Sequence, residues 1–129
     1  MKKRILLIED DPCLIDIYEF SFRKKGDFIV ETIKTGAEGL EKIARIREGK
    51  DKRPDLILLD LILPDRNGIE ILEEIRRQNG IKDLRVFILT NFTSLEFKEM
   101  GVDLKADYLV KTDYTPVELV KLIKERLAQ

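Results

Sequence analysis

The chain has 129 residues, 43% hydrophobic and 38% charged, with 24 Lys+Arg against 25 Asp+Glu. That length suits one domain with a sizeable core, and so even a charge balance creates no broad field for DNA or an anionic membrane. Histidine is absent and Cys13 is the only cysteine, which excludes Ser-His-Asp and Cys-His catalysis, histidine-ligated zinc and an internal disulfide, and suits a reducing cytosol.

Met1-Lys2-Lys3-Arg4 ahead of Ile5–Ile8 has the outline of a secretion signal, but the apolar run stops at Glu9-Asp10-Asp11 and is too short for one. No stretch reaches the length of a membrane span. Ile5–Ile8 instead reads as a first strand. Asp11-Pro12 then starts a helix, with Asp11 as cap and Pro12 in its first position. Leu14, Ile17 or Tyr18, and Ser21 or Phe22 recur at helical spacing until Lys25, and Gly26 ends the helix. Phe28–Ile33 is a second strand, less uniformly apolar and suited to a sheet edge.

Thr35-Gly36 opens a second helix whose expected buried stripe is Ala37, Leu40, Ile43 or Ala44, and Arg47, closed by Gly49. Lys50–Pro54 is a charged, helix-breaking, solvated loop. Asp55–Asp60 is a third strand, and Asp65-Arg66-Asn67-Gly68 a turn. A third helix carries Ile69, Leu72 and Ile75 or Arg76 inward and stops at Asn79-Gly80. Leu84–Leu89 is a fourth strand ending at Thr90. A shorter fourth helix runs from Ser94 to Met100 and ends at Gly101. Tyr108-Leu109-Val110 is a brief fifth strand, and Pro116 opens a fifth helix with Val120, Ile123 and Leu127 inward. Strands alternating with helices predict an α/β fold around a parallel sheet.

The stretch Leu56-Ile57-Leu58-Leu59-Asp60-Leu61-Ile62-Leu63-Pro64 carries the sharpest question. Its apolar run reads as a strand buried on both faces, yet it leads into an aspartate. Two readings of Asp60 stand on this stretch alone: a cap for the turn that follows, or a carboxylate held by a cation, since a buried unpaired charge costs several kcal/mol.

In a parallel sheet all strands end on one edge, and ligands bind where the strand order reverses. Strand one ends in Glu9-Asp10, strand three in Asp60 and strand four in Thr90, while strand five runs into Lys111. An order of 2-1-3-4-5 makes strand two an edge and places the reversal between strands one and three, among the acids. Carboxylates crowded there need a cation, and oxygen ligands suit Mg²⁺, or Mn²⁺ in its place. With Lys111 and Thr90 opposite, the edge is organised for a phosphoryl group, and Asp60, alone at its centre, is the candidate nucleophile.

These pieces resemble the receiver domain of two-component response regulators nearly end to end. The resemblance rests on Ile5–Asp11, on Leu58-Leu59-Asp60 with Leu63-Pro64 and Asn67-Gly68, on Ile88-Leu89-Thr90, and on Ala106–Lys111. It implies a flavodoxin-like three-layer sandwich with sheet order 2-1-3-4-5. Asp60 is implied as phosphoacceptor, charged by a sensor histidine kinase or a histidine phosphotransfer protein. Asp10, Asp60 and the Ile62 backbone carbonyl are implied to ligate Mg²⁺, with Glu9 acting mainly through water. Thr90 and Tyr108 form the implied switch pair, reshaping the face of helix four, strand five and helix five, and Lys111 grips the phosphate.

The expectation is thus a single cytoplasmic receiver domain over residues 1–129 without an output domain, a signalling protein and not a turnover enzyme. It works through protein partners, without direct nucleic-acid or membrane contact, as a monomer or a phosphorylation-dependent dimer. The alternative is a phosphorylation-independent pseudo-receiver; a phosphatase using an aspartyl phosphate is disfavoured because Ile62 stands where such enzymes carry a second acid. Three departures from the family pattern matter. Thr112 follows Lys111 where a proline with a cis bond is usual, so a trans bond is expected there. Asn91 and Phe92 stand where small residues are common, restricting access to Asp60. Ile62 offers no polar group to orient water, which predicts a long-lived phosphoryl state.

Overall fold

A computed structural model describes residues 2–129. The strands are β1 (Arg4–Ile8), β2 (Ile29–Ile33), β3 (Leu56–Leu59), β4 (Val86–Thr90) and β5 (Asp107–Val110). Between and after them lie α1 (Pro12–Lys24), α2 (Gly36–Arg47), α3 (Ile69–Arg77), α4 (Leu95–Asp103) and α5 (Pro116–Leu127), with a 3-10 turn at Lys111–Asp113. All strand pairings are parallel, in the order β2-β1-β3-β4-β5. This is the expected α/β sandwich, with β2 on the edge.

Strand parity explains why β3 is apolar throughout. Leu56 and Leu58 join Tyr18 and Phe22 of α1 and Leu119, Val120 and Ile123 of α5 in one core. Ile57 and Leu59 join Ile43 and Ile46 of α2 and Leu72 and Ile75 of α3 in the other. Both faces of the sheet are covered, so alternation with polar residues is lost. Each of these fully buried side chains contributes about 1.5–3 kcal/mol.

Local chemistry sets the helix ends. The Asp11 carboxylate accepts from the Cys13 and Leu14 backbones with Pro12 in the first turn, as expected. Thr115 and Glu118 form a reciprocal capping box on α5.

Three expectations need correction. The buried face of α2 is Gly36, Gly39, Ile43 and Ile46 with Leu40 packed half-buried beside it, so Ile43 and Leu40 face inward as expected while Ala37 and Arg47 are exposed. Gly39 permits this close packing, because a Cβ there would lie 2.8 Å from Ile71 Cδ1. Next, α4 does not end at Gly101 but continues to Asp103, and Gly101 packs inward, where a Cβ would meet Ile88 and Tyr108 at 3.1 and 3.6 Å. The chain turns away at Lys105, which adopts a left-handed φ of 59°. Finally, β4 begins at Val86 and not Leu84. The Leu84 N–H closes a turn on the Ile81 carbonyl at 2.9 Å, and the Leu84 carbonyl accepts from Arg76 at 2.6 Å.

Arg76 acts at the sheet edge from which β4 and β5 start. Besides Leu84 it donates to the Lys82 carbonyl at 3.0 Å and the Leu104 carbonyl at 2.6 Å, tying α3 to the ends of two loops. The charged segment after α2 is likewise pinned: the Asp51 carboxylate takes Lys42 Nζ at 3.0 Å and Arg45 Nε at 3.0 Å.

Candidate functional site

Register brings the predicted residues together. Ile8 pairs with Leu59, so Glu9 and Asp60 leave the sheet side by side, and the Asp60 N–H donates to the Ile8 carbonyl at 3.0 Å. Thr90 pairs with Val110, which places Lys111 one residue beyond it on the neighbouring strand. Asp60 is only 5% exposed and Glu9 2%. Lys111 Nζ lies 2.7 Å from Asp60 Oδ2 and 2.5 Å from Glu9 Oε1.

Asp60 does both things its sequence context allowed. Its Oδ1 accepts the Ile62 N–H at 3.1 Å, capping the turn, while Oδ2 faces the ammonium of Lys111. Glu9 is equally engaged, since its Oε2 accepts the backbone N–H groups of Asp10 and Asp11 at 3.1 and 3.2 Å. Asp10 is exposed. One oxygen from each of Glu9, Asp10 and Asp60 lies within 4.8 Å of the other two. Three carboxylates against one ammonium leave a surplus of negative charge, and this all-oxygen donor set fits a hard divalent cation.

The electrostatics follow from burial. Desolvation pushes the Glu9 carboxyl above its usual range, although the hydrogen bond from Lys111 pulls the other way. For Lys111 burial favours the neutral amine, but hydrogen bonds to Asp60 and Glu9 outweigh it and raise its pKa. The lysine therefore stays charged between its two carboxylates.

A cleft of about 520 Å³ opens over these groups, walled by Asp10, Pro12, Ile62, Asn91 and Phe92. Ile62 presents its apolar side chain there, 53% exposed. Thr90 is fully buried, and its hydroxyl accepts the Phe92 N–H at 3.2 Å instead of bonding to Asp60. Tyr108 donates its hydroxyl to the Phe92 carbonyl. Both members of the predicted switch pair thus converge on Phe92, whose ring packs against Phe97 with centroids 5.3 Å apart. The Lys98 ammonium sits 5.9 Å from the centre of the Tyr108 ring. No cis peptide bond occurs among the described residues, so Lys111–Thr112 is trans as expected.

Two supporting residues were not expected from sequence. Asp65 accepts the N–H groups of Gly36 and Ala37 at 2.7 and 2.8 Å, fastening the loop after Asp60 to the start of α2. Gly68 lies so close beneath Asp60 that a Cβ would fall 2.1 Å from the Asp60 carbonyl oxygen.

This arrangement of strand ends can be set beside known proteins. The family model described as the response regulator receiver domain matches residues 5–124. The chain belongs to this family. The receiver is 33% identical over 127 residues to the DNA-binding response regulator MtrA of Mycolicibacterium smegmatis, covering 98% of this chain and 51% of that protein. It thus spans about half the length of the curated relatives it matches. A CheY-like receiver domain from Methanospirillum hungatei JF-1 superimposes with a TM-score of 0.83 at 31% identity, over 99% of this chain and 95% of that one. The receiver domain of a sensor histidine kinase from Pseudomonas aeruginosa PAO1 gives 0.80 at 25% identity with complete coverage of both chains, and holds a magnesium ion in its active-site cleft. This 129-residue stretch is therefore a receiver domain of two-component signalling. Among the described residues no helix is long and apolar enough to cross a membrane.

Proposed function

We propose that Asp60 accepts a phosphoryl group from a sensor histidine kinase or a histidine phosphotransfer protein, and that the receiver passes this signal to protein partners. One observation carries the reading. The buried Asp60 carboxylate meets Lys111 at 2.7 Å and shares a 4.8 Å cluster with Glu9 and Asp10. A carboxylate oxygen of Asp60 attacks phosphorus as the bond to the donor histidine breaks, giving an acyl phosphate.

Mg²⁺, or Mn²⁺ in its place, would be held by Asp10, Asp60 and the Ile62 backbone carbonyl, with Glu9 mainly through water, and would neutralise charge on the transferring oxygens. The division between the acids has support in their surroundings. Asp10 is exposed, whereas both Glu9 oxygens already accept hydrogen bonds from the chain. Lys111 passes from the carboxylate to the new phosphoryl oxygens.

Thr90 and Tyr108 are the switch pair in this reading. The Thr90 hydroxyl turns toward the phosphoryl group and releases the Phe92 N–H. That disturbs the carbonyl holding Tyr108 and reshapes the face of α4, β5 and α5. The whole 129-residue stretch acts as a single cytoplasmic receiver unit, binding partner proteins as a monomer or a phosphorylation-dependent dimer, without touching nucleic acid or membrane itself and without turnover catalysis.

The test is incubation with acetyl phosphate or phosphoramidate and Mg²⁺, comparing wild type with Asp60→Asn by intact mass. Wild type gains one phosphoryl mass and the variant none. A wild type that stays unmodified would favour a phosphorylation-independent pseudo-receiver.

A further inference from the structure

β4 and β5 end side by side at Thr90 and Val110, and beyond them the chain departs into α4 and α5. A side chain bridges the gap: Asn91 Oδ1 accepts the backbone N–H of Thr112 at 3.2 Å. The bond falls one residue past Thr90 and one past Lys111, on the rim of the cleft over Asp60. Thr112 lies in the 3-10 turn Lys111–Asp113, whose start has no side-chain cap from its own preceding residue. Early N–H groups of such a turn lack partners within it, and Asn91 supplies one from another strand.

We propose that Asn91 is a positioning residue for Lys111, acting through the Thr112 backbone. The proposal rests on the reading of Asp60 as phosphoacceptor. Lys111 must place one ammonium between Glu9 Oε1 and Asp60 Oδ2 at 2.5 and 2.7 Å, at the end of a long flexible stem. The stem's root is set by the turn, and no proline ring stiffens the backbone after Lys111. Thr112 carries an N–H that a proline would lack, and Asn91 uses it to fix the turn against β4. Small displacements of a group that meets transferring oxygens have large effects on rate. Asn91 is exposed, so little core packing is lost when it is shortened.

The test uses Asn91→Ala and the 129-residue chain with its Thr112 amide replaced by an ester, which deletes the N–H and weakens the Lys111 carbonyl that accepts from Tyr114. Phosphorylation by acetyl phosphate is timed by intact mass at saturating Mg²⁺, and Mg²⁺ affinity is measured by calorimetry without phosphodonor. Each change slows phosphorylation by about threefold to tenfold, the equivalent of one hydrogen bond. Each also tightens Mg²⁺ binding by a similar factor, because a loosened Lys111 competes less for Glu9 and Asp60. The two together do no more than either alone, and the urea midpoint barely moves. Unchanged Mg²⁺ affinity in Asn91→Ala would overturn the proposal. So would an Asn91→Ala effect that persists in full on the ester background, which would assign the residue's action to its amino end. If wild type takes no phosphate, the reading of Asp60 fails, while calorimetry still decides the role of Asn91.

Discussion

Lys111 lies closer to Glu9 than to Asp60, at 2.5 against 2.7 Å. The lysine is thus counter-ion to a pair of buried carboxylates, and its ammonium bridges two groups that would otherwise repel.

Lys111→Met leaves Glu9 and Asp60 buried without that counter-charge. Removing one partner from a buried charged group costs about 3–5 kcal/mol, but here proton uptake limits the loss. Burial already raises Glu9 above its ordinary 4.5, and losing the lysine raises it further. A carboxyl whose folded pKa is raised favours the native state at low pH, and that contribution fades as pH rises through the folded value. The variant should therefore lose most stability near neutral pH and recover as pH falls toward the ordinary Glu9 value of 4.5. Urea midpoints at the two pH values check this, and an equal loss at both would contradict it. Added Mg²⁺ should restore more stability to the variant than to wild type.

Asp65 makes the opposite pH argument. Backbone N–H groups of Gly36 and Ala37 hold its carboxyl below the ordinary 3.8. A depressed carboxylate contributes stability above its unfolded pKa and loses it as pH falls through the folded value. Asp65→Asn should lower the urea midpoint at neutral pH and match wild type in strong acid. Amide exchange at Gly36 and Ala37 should quicken in the variant, since those two donors lose an ionised acceptor.

Gly68→Ala should be among the most damaging single-carbon changes in the chain. Its φ of −60° is open to any residue, so the difficulty is space alone. The new Cβ would stand 2.1 Å from the Asp60 carbonyl oxygen, and backbone cannot step aside as a flexible side chain can. Overpacking of this kind costs about 1–3 kcal/mol or more, and it displaces Asp60. We expect slower phosphorylation as well as a lower melting temperature. By contrast Gly101→Ala, which presses mainly on the end of Ile88 at 3.1 Å, should come close to neutral. There the helix-propensity gain of about 1 kcal/mol offsets the crowding.

Ile62 bears on how long the signal lasts. Its side chain stands exposed at the cleft rim with no group to orient a water molecule. The phosphoryl state should persist for minutes or longer, and Ile62→Asn should shorten it. Phosphate release followed after removal of the donor gives the lifetime, and a wild-type value of seconds would contradict this account.

Much of this design was legible in the sequence, and the reasons differ by residue. The apolar run before Asp60 revealed a strand covered on both faces because its composition directly records burial. Glu9, Asp10, Thr90 and Lys111 could be gathered because parallel strands share one edge, so topology alone brings their ends together. Leu40 and Ile43 of α2 were legible as inward-facing, but Gly36 and Gly39 escaped because they carry no side chain and a periodicity of apolar residues passes over them. Gly68 looked like a turn former, whereas its role is clearance beneath the Asp60 carbonyl. The bonds made by Asp65 and Asn91 escaped for another reason: their partners lie 29 and 21 residues away, and no local pattern marks such a bond.

Arg76 gives α4 an anchored end. The carbonyl of Leu104, which caps that helix, is held by the guanidinium at 2.6 Å, while Ser94 and Leu95 at the other end adjoin the loop that carries Phe92. In the proposed switch this bond would make Leu104 the fulcrum of α4, so that motion started at Phe92 would displace Leu95 more than Val102. Both side chains stand more than two-thirds exposed, at 73% and 70%. A partner that grips Leu95 would then distinguish the phosphorylated receiver proposed above from the unphosphorylated one, and a partner that grips only Val102 would hold on to both.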